Sequence, residues 1–333
     1  MIQNIQDIEL LNQFNKTYSP KTWLQTATYY YYLINKGEKV ELIGELRNGA
    51  LISACIFSIV DAKRGKAIQV LHGPIVPDFN SITIRQYIDL LKNKAKQNKC
   101  DFIRINTLFP PLEQIDLVFK TNGFIYTPFE NMFSNTSIID LSNKDAKTLY
   151  STFSPYLQEK LTNLLELEAN GDIKVEISES LDEDCRTLTE QQSTEQQTFD
   201  SIKEITDYYT SKKSTIVARL FYKNKLSAYQ TFIINENYLC NHHGAVIEND
   251  LEYNLLIHYK IILKSIEMGI KFYDFWGIAP IDDGKHPWSK SSFLKRQFAG
   301  DDFKYLGGYD YALTPKYWLT NMYEKYQKIK RGH

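Results

Sequence analysis

The sequence predicts an α/β protein whose mixed sheets come from one α+β unit written twice. Three observations carry this. The order of strands and helices recurs at a spacing of about 170 residues, each copy opens with an apolar hairpin, and HGPIV from His72 and HGAVI from His243 stand at matching places.

In the first copy, VELIGELRNGALISACIFSIV reads as two strands around an Asn48-Gly49 turn, and IQVLHGPIV as a third. Ser81 is expected to cap a helix with Ile84, Ile88, Leu91 and Ala95 at helical spacing. FIRIN, from Phe102, reads as the next strand. The second copy repeats this with the hairpin STIVARLFYKNKLSAYQTFII, the strand NYLCNHHGAVI, the helix LEYNLLIHYKIILKSIEMG and the strand KFYDFW. Leu255, Tyr259, Ile262 and Ile266 form that helix's stripe, and Gly269 suits a left-handed cap. Between the copies, Ser154-Pro155 reads as the start of a helix that stops at Asn170-Gly171. A hairpin, a third strand, a crossover helix and a further strand give a mixed sheet covered by a helix, an order similar to the core of GNAT-type acyltransferases.

The 333 residues, 43% hydrophobic and 24% charged, suffice for two ordinary domains. No apolar run is long enough to span a bilayer, and MIQNIQDIELLNQF is polar and acidic, so a cytoplasmic protein is expected. Cys55, Cys100, Cys185 and Cys240 form no CxxC pair and read as buried thiols. The formal charge of -1 excludes a globally basic nucleic-acid binder. Locally, Lys285 to His333 holds ten basic against four acidic residues, whereas Glu166 to Thr210 holds three against thirteen. The basic end suits tRNA phosphates, the anionic inner face of a membrane or simply a solvated helix.

There is no P-loop, HExxH, GxSxG elbow or metal-like cluster of Cys and His. The nearest string to a CoA pyrophosphate loop, QFAGDD from Gln297, ends in two carboxylates that repel phosphate. His242 and His243, adjacent on a strand, face opposite ways and cannot form one ligand pair. The densest stretch runs from Phe272 to Leu313: a strand ending at Trp276-Gly277, a loop with His286 and Trp288, then a short helix with Phe293, Lys295 and Arg296. Cations beside aromatics at a strand end suit recognition of a base or sugar, or the aromatics plug a gap in the fold.

YDFWGI, HPWS, FLKRQFAG and YLGGYDYAL, in that order, resemble the C-terminal signature of the Fem family (FemABX). GPIVPD, FIRI, Gly123-Phe124, NTSIIDLS and, near residue 25, WLQTATYY resemble its upstream segments. The resemblance implies two duplicated GNAT-like domains, 1–141 plus 305–333 and 142–304. It also implies transfer of an amino acid from aminoacyl-tRNA to an amine of a peptidoglycan precursor, without a metal or organic cofactor. Lys295 falls on the family lysine implicated in stabilising the reacting ester. Phe293, Arg296, Trp276, Trp288, His242, His243, Tyr31 and Arg104 are the expected substrate-binding residues. The chain departs from the family at Tyr29 to Tyr32, where a lysine is usual, at Asn106, where an acid is usual, and in the helix LQEKLTNLLELEANG, which is usually basic. Another amine acceptor, a CoA-dependent acyltransferase and a silent binding protein of the same fold remain open.

Overall fold

The computed structural model describes residues 1–62, 65–128, 132–192, 198–247, 252–281 and 284–331. The chain divides into two compact units, Met1–Asn135 with Pro280–Pro287 and Lys304–His333, and Thr136–Ala279 with Trp288–Phe303.

The first unit begins with β1 (Ile2–Asn4), α1 (Glu9–Tyr18), α2 (Ala27–Asn35), β2 (Lys39–Arg47), β3 (Ala50–Ala62), β4 (Gly65–Leu71), α3 (Ser81–Gln97), β5 (Phe102–Thr107), α4 (Glu113–Thr121) and β6 (Ile125–Tyr126). The second holds β7 (Asn135–Asp140), α5 (Ala146–Thr152), α6 (Pro155–Ala169), β8 (Ile173–Ser178), α7 (Glu183–Gln192), α8 (Phe199–Ser211), β9 (Thr215–Tyr222), β10 (Lys225–Asn235), β11 (Tyr238–Val246), α9 (Tyr253–Glu267), β12 (Phe272–Gly277), α10 (Ser289–Arg296) and β13 (Asp301–Lys304). The chain then returns to the first unit with β14 (Gly307–Ala312) and α11 (Lys316–Arg331).

The strand orders are β1-β2-β3-β4-β5-β14-β6 and β13-β7-β12-β11-β10-β9-β8. Each sheet contains three antiparallel pairings in succession, then one parallel pairing across a crossover helix, β4 with β5 around α3 and β11 with β12 around α9. The duplicated unit expected from the repeat is therefore present. The next strand in each sheet comes from outside the repeat: β14 beside β5, and β7 beside β12. Because β7 pairs in the second sheet, the first unit ends at Asn135 rather than at residue 141.

Local chemistry explains the elements. Asn48 and Gly49 both take the positive φ of a tight hairpin turn, as do Lys223 and Asn224 in the second copy. Ser154 accepts a hydrogen bond from Leu157 N with Pro155 in the first turn of α6, and Gly269 is left-handed after α9. One cap differs from expectation. Asn80, not Ser81, caps α3, because its side chain accepts from both Ile82 N and Thr83 N.

Strand alternation distributes the cores. Along β9, Ile216, Ala218 and Leu220 pack with α6 and α9, whereas Val217 faces Cys185 and Leu188 of α7 and Phe199 and Ile202 of α8. Along β5, Ile103 and Ile105 pack with α3, and Phe102 meets Tyr317 of α11 on the other face. All four cysteines are buried and free. No described helix is long and apolar enough to cross a membrane.

Candidate active site

The two parallel pairings place the repeat in register. Ala67 pairs with Phe102 in the first copy and Tyr238 with Phe272 in the second. His72 and His243 each lie five residues beyond the first partner, so HGPIV and HGAVI stand at the same count along the corresponding strands, although β11 carries an extra residue at His242. In both copies a glycine follows because a glutamine occupies the space of a side chain. A Cβ on Gly73 would meet Gln25 at 2.8 Å, and one on Gly244 would meet Gln230 at 2.2 Å.

Beyond this shared frame the copies diverge. In the first, β4 and β5 stay paired to Leu71 and Asn106, and Gly73 N then donates to Asn106 O. In the second, the pairing ends at Cys240 and Asp274. Both strands bulge there. On β11, His242 is the extra residue between Asn241 and His243, which pair with Phe232 and Thr231. On β12 the register slips between Asp274 and Gly277, and Trp276 takes a φ of 60°. Bulges and left-handed non-glycine residues concentrate at functional sites because they re-aim side chains at a cost in stability. Here they open the sheet between β11 and β12, with His242 on one strand and Trp276 and Gly277 on the other.

α10 closes on the end of β12. Leu294 and Phe298, one helical turn apart, enter the core, where Phe298 packs on Phe275 and Phe153. This sets the helix so that Ser292 Oγ accepts from Ala279 N at 2.8 Å and Lys295 Nζ donates to Gly277 O at 2.8 Å. Arg296 Nη2 donates to Ala279 O at 2.6 Å. Among the described residues, the bond to Gly277 O is the Lys295 ammonium's one hydrogen bond, and an ammonium has three donors. Desolvation lowers its pKa to about 8, opposed by the negative charge of Asp274. Lys295 therefore stays mostly protonated at neutral pH.

Asp274 is the buried centre of this region. One carboxylate oxygen accepts from Thr136 Oγ1 and, at 2.7 Å, from Trp276 N; the other accepts from Tyr238 OH. Burial raises its pKa, while Thr136, Tyr238, Trp276 N and Lys295 oppose that rise. His258 lies in the same field, hydrogen-bonded to Tyr273 OH at 2.6 Å, and burial together with the Lys295 charge lowers it to about 3. Burial lowers His242 to about 3 and His243 to about 4, so all three imidazoles are neutral near pH 7.

The expected site residues thus separate. Lys295 and Trp276 stand at the bulged end of β12, and His242 at the bulge of β11. Trp288, half-buried, begins α10 and accepts Ser292 N on its carbonyl, and exposed Phe293 packs edge-on against Tyr156. His243 lies toward Tyr229 and His242 Nδ1 is 3.5 Å from Thr231 Oγ1, two residues along the same face of β10, so the bulge breaks the alternation and the two histidines do not face opposite ways as the sequence predicts. Arg296 is committed to structure, through Ala279 O and a 2.6 Å bond to Asp302. Tyr31 is exposed on α2 of the first unit, against Tyr30.

Arg104 corrects the sequence expectation. It is buried on β5, bidentate to Asp310 at 2.8 and 2.7 Å and to Glu324 at 3.0 and 2.7 Å, so no donor face is left for a substrate. Burial opposes its charge, but the two carboxylates outweigh that and hold its pKa above the usual arginine value. The acidic stretch is also tamed locally: Glu168 pairs with Lys260, Asp182 with Arg219, and Glu183 and Asp200 with Arg186. Asp274, Tyr238 and Thr136 were not singled out in the sequence. The signal was a lone carboxylate in the otherwise apolar FYDFW strand.

Among the described residues, no group of three or more His, Cys, Asp or Glu side chains could hold a metal. QFAGDD lies at the C-terminal end of α10, where Phe298 N and Ala299 N already bond Lys295 O and Arg296 O, so it forms no helix N-terminal phosphate cradle.

Comparison with known proteins bears on the fold. No curated protein sequence matches the chain at a significant level. The solved structure of FemX is similar over 97% of this chain and 100% of its own, with a TM-score of 0.77 and 14% identity. A tandem GNAT protein from the clavulanic acid biosynthesis pathway is similar over 95% of this chain and 99% of its own, with a TM-score of 0.60 and 9% identity. L-PGS from Bacillus licheniformis matches at a TM-score of 0.56 and 10% identity, over 98% of each chain. At these identities the likeness is one of fold. Residues 8–115 match the FemAB family, and with the fold shared along nearly the whole chain this bears out the Fem resemblance read from the sequence.

Proposed function

We propose that the protein is an aminoacyltransferase of Fem type, moving an amino acid from aminoacyl-tRNA to an amine of a peptidoglycan precursor stem peptide. One observation carries the chemistry: the desolvated ammonium of Lys295, fixed on Gly277 O at the opening between β11 and β12. An acceptor amine attacks the ester carbonyl, a C–N bond forms, and the carbonyl oxygen becomes an oxyanion. Lys295 stabilises that charge with its remaining donors, as a fixed cation in a poorly hydrated site does. The C–O bond to the tRNA ribose then breaks, and the proton lost by the amine ends on the departing oxygen. Ester aminolysis needs neither a metal nor a redox cofactor, and no strong general base, which is consistent with neutral His242, His243 and His258.

Use of CoA thioesters is disfavoured by the helix starts. The first-turn amides of α3 are taken by Asn80, and the start of α9 carries Glu252, paired with Lys160 at 3.0 Å. The test is to incubate the protein with labelled aminoacyl-tRNA pools and cell-wall precursors. Transfer of one amino acid to a precursor amine supports the reading. Acylation from CoA thioesters with no transfer from tRNA overturns it.

A further inference from the structure

The C-terminal helix α11 has two faces with different surroundings. Its inner face is docked: Tyr317, Thr320 and Asn321 are buried, Tyr317 OH donates to Asp310, and Glu324 is held by Arg104. At about 100° per residue, Trp318, Ile329, Met322, Tyr326, Leu319 and Tyr323 fall on one continuous arc on the other side. All six are exposed, Leu319 and Met322 at 68% and Ile329 at 83%. So contiguous an apolar face is not an ordinary solvated surface.

Charge says what covers it. Lys325 borders the arc on one side and Lys316 on the other, while Lys330, in the last turn, lies at the arc's edge between the angles of Leu319 and Tyr323. Among the described residues Lys325 and Lys330 form no ion pair, and the helix's single acid, Glu324, is already neutralised by Arg104. The outward face is thus aliphatic and aromatic at its centre and positive at its rim.

We propose that this face of α11 docks on an anionic lipid bilayer, with the helix lying in the headgroup plane. Leu319, Met322 and Ile329 enter the acyl boundary, Trp318, Tyr323 and Tyr326 lie at headgroup depth, and the lysines reach lipid phosphates. At 16 residues the helix is suited to lying on a bilayer, not to spanning one. RNA would engage the lysines but leave the three aliphatic side chains in water. A second copy would set one lysine rim near another. The inference stands independently of the proposed transfer reaction.

The experiment is flotation of the full chain with phosphatidylcholine vesicles, with and without phosphatidylglycerol. Binding that requires phosphatidylglycerol and weakens with salt is expected. Charge reversal by Lys325→Glu and Lys330→Glu together should lower partitioning by about 25-fold, at roughly fivefold per lysine. Leu319→Ser with Met322→Ser and Ile329→Ser should abolish it. Both variants leave the docked residues Tyr317, Asn321 and Glu324 in place, so thermal unfolding should remain near the parent's. If either variant fails to fold, Trp318→Phe should remove part of the tryptophan quenching caused by brominated lipids in phosphatidylglycerol vesicles. The proposal is overturned by absent binding to anionic vesicles at low salt, or by binding indifferent to the folded variants. It is equally overturned if the serine variant only dissolves a dimer, or the charge variant only loses tRNA.

Discussion

Arg104 and Asp274 occupy the same place in the two copies of the repeat, each two residues past the phenylalanine at which the parallel pairing starts. Both are buried charges on an apolar strand. The first is closed off by Asp310 and Glu324, and its strand stays paired; the second holds the bulged end of β12, within the field of Lys295. The copies share a fold, and the chemistry proposed here resides in the second.

Arg104 should therefore be a stability residue. Arg104→Met leaves Asp310 buried and Glu324 partly buried without their cation, and breaking such a cluster costs about 3–5 kcal/mol. Urea unfolding should report that loss, and Arg104→Lys should recover little because one ammonium cannot reproduce two bidentate pairs. An unchanged midpoint would show that the cluster contributes nothing net.

Asp274→Asn tests the link to Lys295. The substitution removes the one negative charge that supports the ammonium, so the lysine pKa should fall further below about 8. Transfer that needs protonated Lys295 declines as pH rises through this value. In the variant that decline should begin at lower pH, and an unshifted alkaline limb would remove Asp274 from the account.

The same depressed pKa has a signature in stability. Between about 8 and the ordinary lysine value the unfolded chain binds the proton that the folded chain has lost, so this group makes stability rise with pH across that window. Tyrosines raised by burial act oppositely at higher pH, so the readout is the difference in unfolding free energy between parent and Lys295→Met. The difference should move in the parent's favour as pH rises from 8 to 10. A flat difference would place the ammonium in water.

Gln25 joins two strands where their own ladder is interrupted. Its amide donates to Ile56 O at 3.1 Å and Leu71 O at 2.7 Å and accepts from Ile56 N at 2.7 Å. Gln25→Ala should destabilise by about 1–3 kcal/mol for each backbone group left without a partner. Gln25→Glu should do no better, since a carboxylate cannot donate to two carbonyls. Chemical denaturation distinguishes either result from a neutral change.

Much of this was legible in the residues. Hairpin turns, the Ser154-Pro155 start and the HG strings are local signals, and the repeat placed them on equivalent strands. The opening between β11 and β12 was not legible, because a bulge depends on which strand pairs with which, and FIRIN and KFYDFW look alike in period. Arg104 was misread for a related reason. An arginine on a strand is a candidate ligand until its partners are known, and Asp310 and Glu324 lie more than two hundred residues away. The first unit's end was misplaced because β7 joins the second sheet across a long sequence gap, which no local pattern records.

The central claim is that the Lys295 ammonium stabilises the tetrahedral intermediate of acyl transfer. Its most direct test is the single-turnover rate of amino-acid transfer from charged tRNA by Lys295→Met, with Arg296→Met measured beside it. Losing one such donor should slow Lys295→Met by about 100 to 1000-fold in a protein that folds normally, and Lys295→Arg should rescue little because a planar fork cannot occupy the ammonium's place. Arg296→Met should lose stability at the Ala279 and Asp302 contacts rather than chemistry. Transfer by Lys295→Met within a few-fold of the parent, with Arg296→Met inactive though folded, would contradict the account and pass the role to Arg296.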